Sequence, residues 1–167
     1  MHHRIHTLLV AALAVGASAC TGYTGVKGSK KLSELDADER KEVCENSAAH
    51  TKEEIGEETI KRYGCVLASV LASGGGVPEC EAAVDICVMD ATIESNDTCD
   101  VDGDVDCDAT IEEYEACGDE NIAGLKVFYQ TFTCEAAING SVMAPEAGPE
   151  CQALAKKCPG LFSTMGE

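Results

Sequence analysis

Residues 95–117, SNDTCDVDGDVDCDATIEEYEAC, carry the side chains best suited to chemistry, because six aspartates fall within residues 97–108. Carboxylates that alternate around a glycine are typical of calcium loops, in which hard oxygen ligands surround the ion. An EF-hand loop with Gly103 at its sixth position would begin at Thr98 and end at Ala109. That motif needs Asp at its first position and Glu at its twelfth, so an EF-hand is excluded.

A looser calcium site is the alternative that this stretch leaves open. The nine residues DVDGDVDCD are similar to the aspartate-rich calcium repeats of secreted thrombospondin-type proteins, but the chain has only one such unit. A disulfide between Cys99 and Cys107 would close the loop around four carboxylates, those of Asp100, Asp102, Asp104 and Asp106. Because Asp and Gly also favour solvated turns, we expect a solvated loop and keep a weak Ca²⁺ site within residues 97–108 as the alternative.

Catalytic motifs are missing from the sequence. It contains no serine elbow, no phosphate-binding loop and no metalloprotease helix. The only histidine beyond residue 20 is His50, within SAAHTKEE, where we expect an exposed helix end without a catalytic role. We therefore predict a protein that is not an enzyme and that has no cofactor apart from the calcium alternative.

The cysteines predict an oxidised, exported protein. The chain has eleven of them, and setting Cys20 aside leaves an even number. No two are spaced as CxxC, which excludes the common zinc and thioredoxin-type sites. Export implies an oxidising compartment. We therefore predict five disulfides, of undetermined pairing, among Cys44, Cys65, Cys80, Cys87, Cys99, Cys107, Cys117, Cys134, Cys151 and Cys158.

Residues 1–19 have the organisation of a secretory signal peptide. Arg4 precedes a short apolar run, and small residues follow it up to Cys20. The run is shorter than the roughly 20 apolar residues of a membrane-spanning helix. The sequence ASAC resembles the lipobox of bacterial lipoproteins, which implies cleavage before Cys20 and lipidation of its thiol. Since Thr21 rather than Asp follows the cysteine, we expect an outer-membrane destination.

The charge of the chain excludes one class of partner. Twelve Lys and Arg face thirty Asp and Glu, and the formal net charge is −18. No basic residue occurs between Arg62 and Lys126, a stretch with sixteen acidic ones. This field repels phosphate backbones, so nucleic acid is not a partner. It also opposes docking on anionic headgroups, so we expect the lipid anchor to make the membrane contact.

The remaining sequence predicts an all-α domain over residues 32–167, preceded by a flexible tether at residues 20–31 that is rich in Gly, Ser and Lys. Capping boxes start two helices, at Asp36 with Glu39 and at Thr110 with Glu113. The segment after residue 53 has apolar side chains at helical spacing, which predicts its buried face: Ile60, Tyr63, Leu67, Val70 and Leu71.

Two pairs of cysteines lie seven residues apart on predicted helices, Cys80 with Cys87 and Cys151 with Cys158. Seven helical residues rise about 10.5 Å, whereas a disulfide needs Cα atoms within about 7 Å. Each of these cysteines must therefore bond to a different segment. The prediction is a small helical bundle that disulfides staple together.

The lipobox, the tether, a helix start that resembles LxxLxxDE and the motif DCDATIEEYEAC together resemble uncharacterised cysteine-rich lipoproteins of Gram-negative soil bacteria. This resemblance implies an exported, lipid-anchored location and a disulfide-rich helical fold, and it implies no activity. We expect an envelope-anchored lipoprotein that acts as a binding or structural module, with a calcium-binding surface lipoprotein as the alternative. The nature of its protein or envelope partner stays open.

Overall fold

The computed structural model describes residues 22–72, 74, 76–90, 99 and 107–162. Its regular elements in these ranges are helical, which confirms the all-α prediction. A 3₁₀ turn, Leu32–Glu34, precedes seven α-helices: α1 Ala37–Ile55, α2 Glu57–Ala72, α3 Val77–Asp90, α4 Ile111–Thr131, α5 Cys134–Ile138, α6 Pro149–Lys157 and α7 Pro159–Phe162.

Both predicted capping boxes start a helix. The Asp36 side chain accepts a hydrogen bond from the Glu39 backbone N–H, and the Glu39 carboxylate accepts one from the Asp36 N–H. Thr110 and Glu113 do the same at α4. These reciprocal bonds satisfy backbone donors that a helix start would otherwise leave unpaired.

Breaks in the helical backbone occur at two places that matter for the packing. Gly56, at φ +87°, ends α1 and separates it from α2, because a positive φ is readily available only to glycine. Helix α4 continues without a break from Ile111 to Thr131, and Phe132 and Thr133 separate it from the short α5. Thr133 caps α5 by accepting from the Ala136 N–H.

The buried side chains divide into two clusters. The first cluster lies between the N-terminal segment, α1, the first half of α4 and α6, and contains Val26, Leu32, Leu35, Val43, Cys107, Ala109, Ile111, Cys117, Cys151, Leu154 and Cys158. The second cluster lies between α2, α3 and α5 and contains Cys65, Val66, Cys80, Val84 and Cys134. Helix α4 extends from the first cluster towards the second, where Phe132 packs against its side chains.

Five disulfides join the ten predicted cysteines, and four of them lie within one of the two clusters. Cys117–Cys151 and Cys107–Cys158 lie in the first, and Cys44–Cys99 attaches to its helix α1. Cys65–Cys87 and Cys80–Cys134 lie in the second. The cysteines spaced by seven bond to different segments, as predicted. The bond between Cys99 and Cys107 that would have closed the acidic loop is not formed, because Cys99 pairs with Cys44 and Cys107 pairs with Cys158.

The prediction of a flexible tether over residues 20–31 is wrong for residues 22–31, the part of that range which the structure describes. The main chain from Gly28 to Leu32 runs beside the start of α4, with hydrogen bonds of 2.9 Å that join Leu32 N to Ala109 O, Ile111 N to Lys30 O and Glu112 N to Gly28 O. Thr24 and Val26 are buried. Backbone pairing and two buried side chains therefore make this segment part of the domain, although its composition is that of a linker.

Candidate functional site

The sequence-predicted lipidation and calcium residues fall outside the described part of the chain. These are Cys20 and the carboxylates of Asp100, Asp102, Asp104 and Asp106. Within the ranges that the structure describes, no group of three or more His, Cys, Asp or Glu side chains is placed to hold a metal ion. Both sites stay predictions from the sequence.

His50 lies inside α1 rather than at an exposed helix end, and its side chain is only 22 % exposed. Its imidazole stacks on the Tyr23 ring, and its Nε2 lies 3.1 Å from Asp119 Oδ1 on α4. Burial raises the pKa of Tyr23 well above its ordinary value, and the nearby Tyr114, Asp119 and Glu115 raise it further. A phenol that stays protonated is not a nucleophile at neutral pH, so we interpret these residues as a structural contact.

Thr24, the residue after Tyr23, also holds the N-terminal segment on α4. Glu115 on α4 accepts hydrogen bonds from Thr24 N at 3.0 Å and from Thr24 Oγ1 at 2.7 Å. The Tyr23 hydroxyl lies so close to Gly118 that a side chain at this position of α4 would collide with it. These contacts hold the N-terminal segment, residues 22–31, on the domain.

Helix α2 exposes two of the five side chains predicted for its buried face, Leu67 and Leu71, whereas the other three are partly buried. The side chains that it buries are instead Cys65, Val66 and Ser69. Leu67 is 42 % exposed and Leu71 is 80 % exposed. The prediction of a buried face at Leu67 and Leu71 is wrong, because the disulfides and helices of the second cluster cover a different side of α2.

Four aromatic rings continue this exposed face across to α4. Tyr63 stacks on Tyr129, with ring centroids 4.4 Å apart, and meets the Phe132 ring edge-on at 4.8 Å. Phe128 lies 5.5 Å from Phe132 and 5.7 Å from Tyr63. All four rings keep part of their area in solvent.

We define the α2–α4 surface as Tyr63, Leu67, Leu71, Phe128, Tyr129 and Phe132. Residues 63, 67 and 71 are spaced by four and therefore share one side of α2, and the Tyr63 ring joins this row to the rings of α4. The disulfide Cys65–Cys87 fixes the backbone of α2 beneath it. The helical spacing of the α2 row shows that it is apolar, but that spacing alone predicts an interior position for it.

Comparison of the chain with protein-family models, with curated proteins and with solved structures gives no match. Among the helices of the described ranges, none combines the length and the apolar character that a bilayer span requires. A function can therefore be proposed only from the exposure and chemistry of the chain's own side chains.

Proposed function

We propose that this chain is an exported lipoprotein of the cell envelope, anchored through a lipidated Cys20, whose helical domain binds a protein partner through the α2–α4 surface. The signal-like residues 1–19 and the odd number of cysteines support the export and the anchor. The observation that carries the binding role is the exposed row of Leu67 and Leu71 beside four aromatic rings.

The physical argument starts from the cost of exposing apolar area. Covering a Leu side chain contributes about 1.5–3 kcal/mol, and contiguous apolar patches on soluble domains mark interaction sites. Aromatic side chains are enriched among the residues that dominate binding energy. Because a disulfide and the second cluster hold α2 in place, little ordering entropy opposes association. The net charge of −18 favours a partner with basic residues around its contact patch.

The binding role can be tested by crosslinking in intact cells. A photoreactive amino acid in place of Leu71 is expected to yield a discrete crosslinked product in the envelope fraction. The matched control carries the same group in place of Asp38, an exposed residue in the first turn of α1. Substitution of Leu67→Glu should remove the product from position 71. Equal crosslinking from positions 71 and 38 would contradict the proposal.

The anchor is tested separately. Cys20→Ser should move the protein from the membrane to the soluble fraction, because one thiol carries the proposed lipid. Detergent partitioning that the substitution leaves unchanged would contradict lipidation, whatever the crosslinking shows. Fractionation of the wild-type protein should place it in the outer membrane. The alternative of calcium binding at residues 97–108 stays a prediction from the sequence.

A further inference from the structure

A cavity of about 280 Å³ opens beside α1. None of its lining residues belongs to the α2–α4 surface. Its described lining combines the 3₁₀ turn, α1, α4 and α7 in the residues Leu32, Leu35, Arg40, Val43, Cys44, Ser47, Tyr114 and Leu161. Most of these side chains are apolar. The cavity therefore suits an apolar group, and Arg40 is the charged residue in its described lining.

Arg40 lacks part of the bonding that a guanidinium requires. Its Nη1 donates to Leu35 O at 2.8 Å, whereas its Nε is buried and has no hydrogen-bond partner among the residues that the structure describes. Among the described residues, no carboxylate lies within ion-pair distance of it, although six lysines do form such pairs: Lys30, Lys31, Lys41, Lys52, Lys126 and Lys157. Arg40 therefore brings to the cavity lining a positive charge with which no carboxylate of the described residues pairs.

We propose that the cavity binds a small amphiphile, a straight-chain carboxylate whose alkyl chain fills the apolar part and whose carboxylate pairs with Arg40. A guanidinium presents its donors in a planar fork that matches a carboxylate. The carboxylate would bond to the outer nitrogens of the guanidinium, Nη1 and Nη2, because the Nε itself is fully buried.

The volume sets the size of this ligand. At ~30 Å³ for each water-sized group, the cavity holds roughly nine such groups, which corresponds to an alkyl carboxylate of about eight carbons. Two-chain phospholipids exceed this volume several times over. A neutral alcohol of the same length fills the cavity equally well but leaves Arg40 without its counter-charge.

The test compares ligands by isothermal titration calorimetry on the intact, oxidised domain. Octanoate is expected to bind saturably, and 1-octanol and butyrate about tenfold or more weakly, because each lacks either the charge-assisted hydrogen bond or the apolar contact. Arg40→Met should lower the octanoate affinity about tenfold and leave that of octanol unchanged. The matched control is Arg62→Met, an exposed arginine on α2 that does not line the cavity.

Equal affinities for octanoate and octanol, or an Arg40→Met variant that keeps the octanoate affinity, would overturn the proposal. Val43→Trp, which fills the cavity, should abolish binding of both ligands. Since this variant can also disturb folding, nuclear Overhauser effects in the wild-type protein provide a second measurement. Contacts from the octanoate methyl group to Val43 and Leu161 are expected, and contacts to Leu67 or Leu71 instead would place the ligand on the α2–α4 surface and overturn the assignment.

Discussion

The Tyr23 phenol lies stacked on the His50 imidazole, with ring centroids 4.1 Å apart and ring planes inclined by 15°. This contact joins the N-terminal segment to α1. Stacked aromatic pairs contribute about 0.5–1.5 kcal/mol beyond their area, so a double-mutant cycle of Tyr23→Leu and His50→Leu should give a coupling free energy in that range. Urea unfolding of the four proteins measures it.

The control cycle uses the exposed pair Lys41 and Glu45 on the same helix, whose charged groups lie 3.7 Å apart. Exposed pairs of this kind contribute at most about 0.5 kcal/mol. A Tyr23–His50 coupling no larger than that of the control would contradict the docking of the N-terminal segment by this contact.

Removal of one disulfide should loosen one cluster only. Cys80→Ala with Cys134→Ala opens a bridge that spans 54 residues, and should lower the free energy of unfolding by about 4 kcal/mol. Because that bridge lies in the second cluster, amide hydrogen exchange should accelerate in α2, α3 and α5 and stay slow in α1 and α6.

The opposite pattern is expected for Cys117→Ala with Cys151→Ala, since that bridge joins α4 to α6 in the first cluster. If either double variant loses protection throughout the chain, the two clusters do not behave as separate cooperative units.

A pH-dependent contribution is expected from Glu39. The hydrogen bond from Lys30, followed by the backbone bond at Asp36, lowers the pKa of its carboxyl below the ordinary 4.5. A carboxyl with a depressed pKa in the folded state stabilises the fold above its unfolded pKa, and this contribution is lost as the pH falls through the folded value. Glu39→Gln should therefore lower the melting temperature at pH 6–7 and cease to do so well below pH 4.5.

Glu113, which bonds to Lys157 and to the Thr110 N–H, has its pKa lowered for the same reasons, so Glu113→Gln should follow the same profile. Glu53→Gln, an exposed substitution on α1, controls for the removal of one negative charge from an acidic protein. A deficit of Glu39→Gln that is constant between pH 7 and pH 3 would contradict the linkage.

The two sides of α2 should respond differently to substitution. Leu71→Gln is expected to change the free energy of unfolding by less than about 0.5 kcal/mol, because the side chain is mostly in solvent. Val66→Ala should cost about 2 kcal/mol, since Val66 is fully buried in the second cluster. Chemical denaturation followed by circular dichroism measures both, and a larger loss at position 71 than at position 66 would contradict this helix orientation.

Calcium distinguishes the two interpretations of residues 97–108. For a solvated acidic loop, calcium chloride and sodium chloride at equal ionic strength should raise the melting temperature equally, by screening. A calcium site would instead give a saturable increase that Asp102→Asn with Asp104→Asn removes. We expect equal shifts, as measured by differential scanning fluorimetry.

The local features of this fold could be predicted because they depend on residues close in sequence. The capping boxes at Asp36 and Thr110 need only a spacing of three, and the geometry of a helix excludes a bond between Cys80 and Cys87. The tether could not be recognised as part of the domain, because its bonds go to residues near Ala109, almost eighty positions away.

The buried side of α2 was missed because periodicity identifies an apolar stripe but not the element that covers it. One signal would have corrected it. Cys65 lies about 200° around the helix from Tyr63, and a cysteine that bonds to another helix has to face that helix. No sequence pattern predicts the cavity at Arg40, because the neighbours of a single arginine depend on how the 3₁₀ turn, α1 and α4 pack together.

The packing of Tyr23 would fix the position of the domain relative to a lipid attached at Cys20. If Cys20 carries the proposed lipid, only three Cα steps separate it from a ring that is fixed on His50, and they reach about 10 Å at full extension. This distance is comparable to the thickness of one headgroup layer. The domain would then lie directly on the lipid surface with restricted rotation, so it would meet partners within or beside its own membrane rather than across a wide gap.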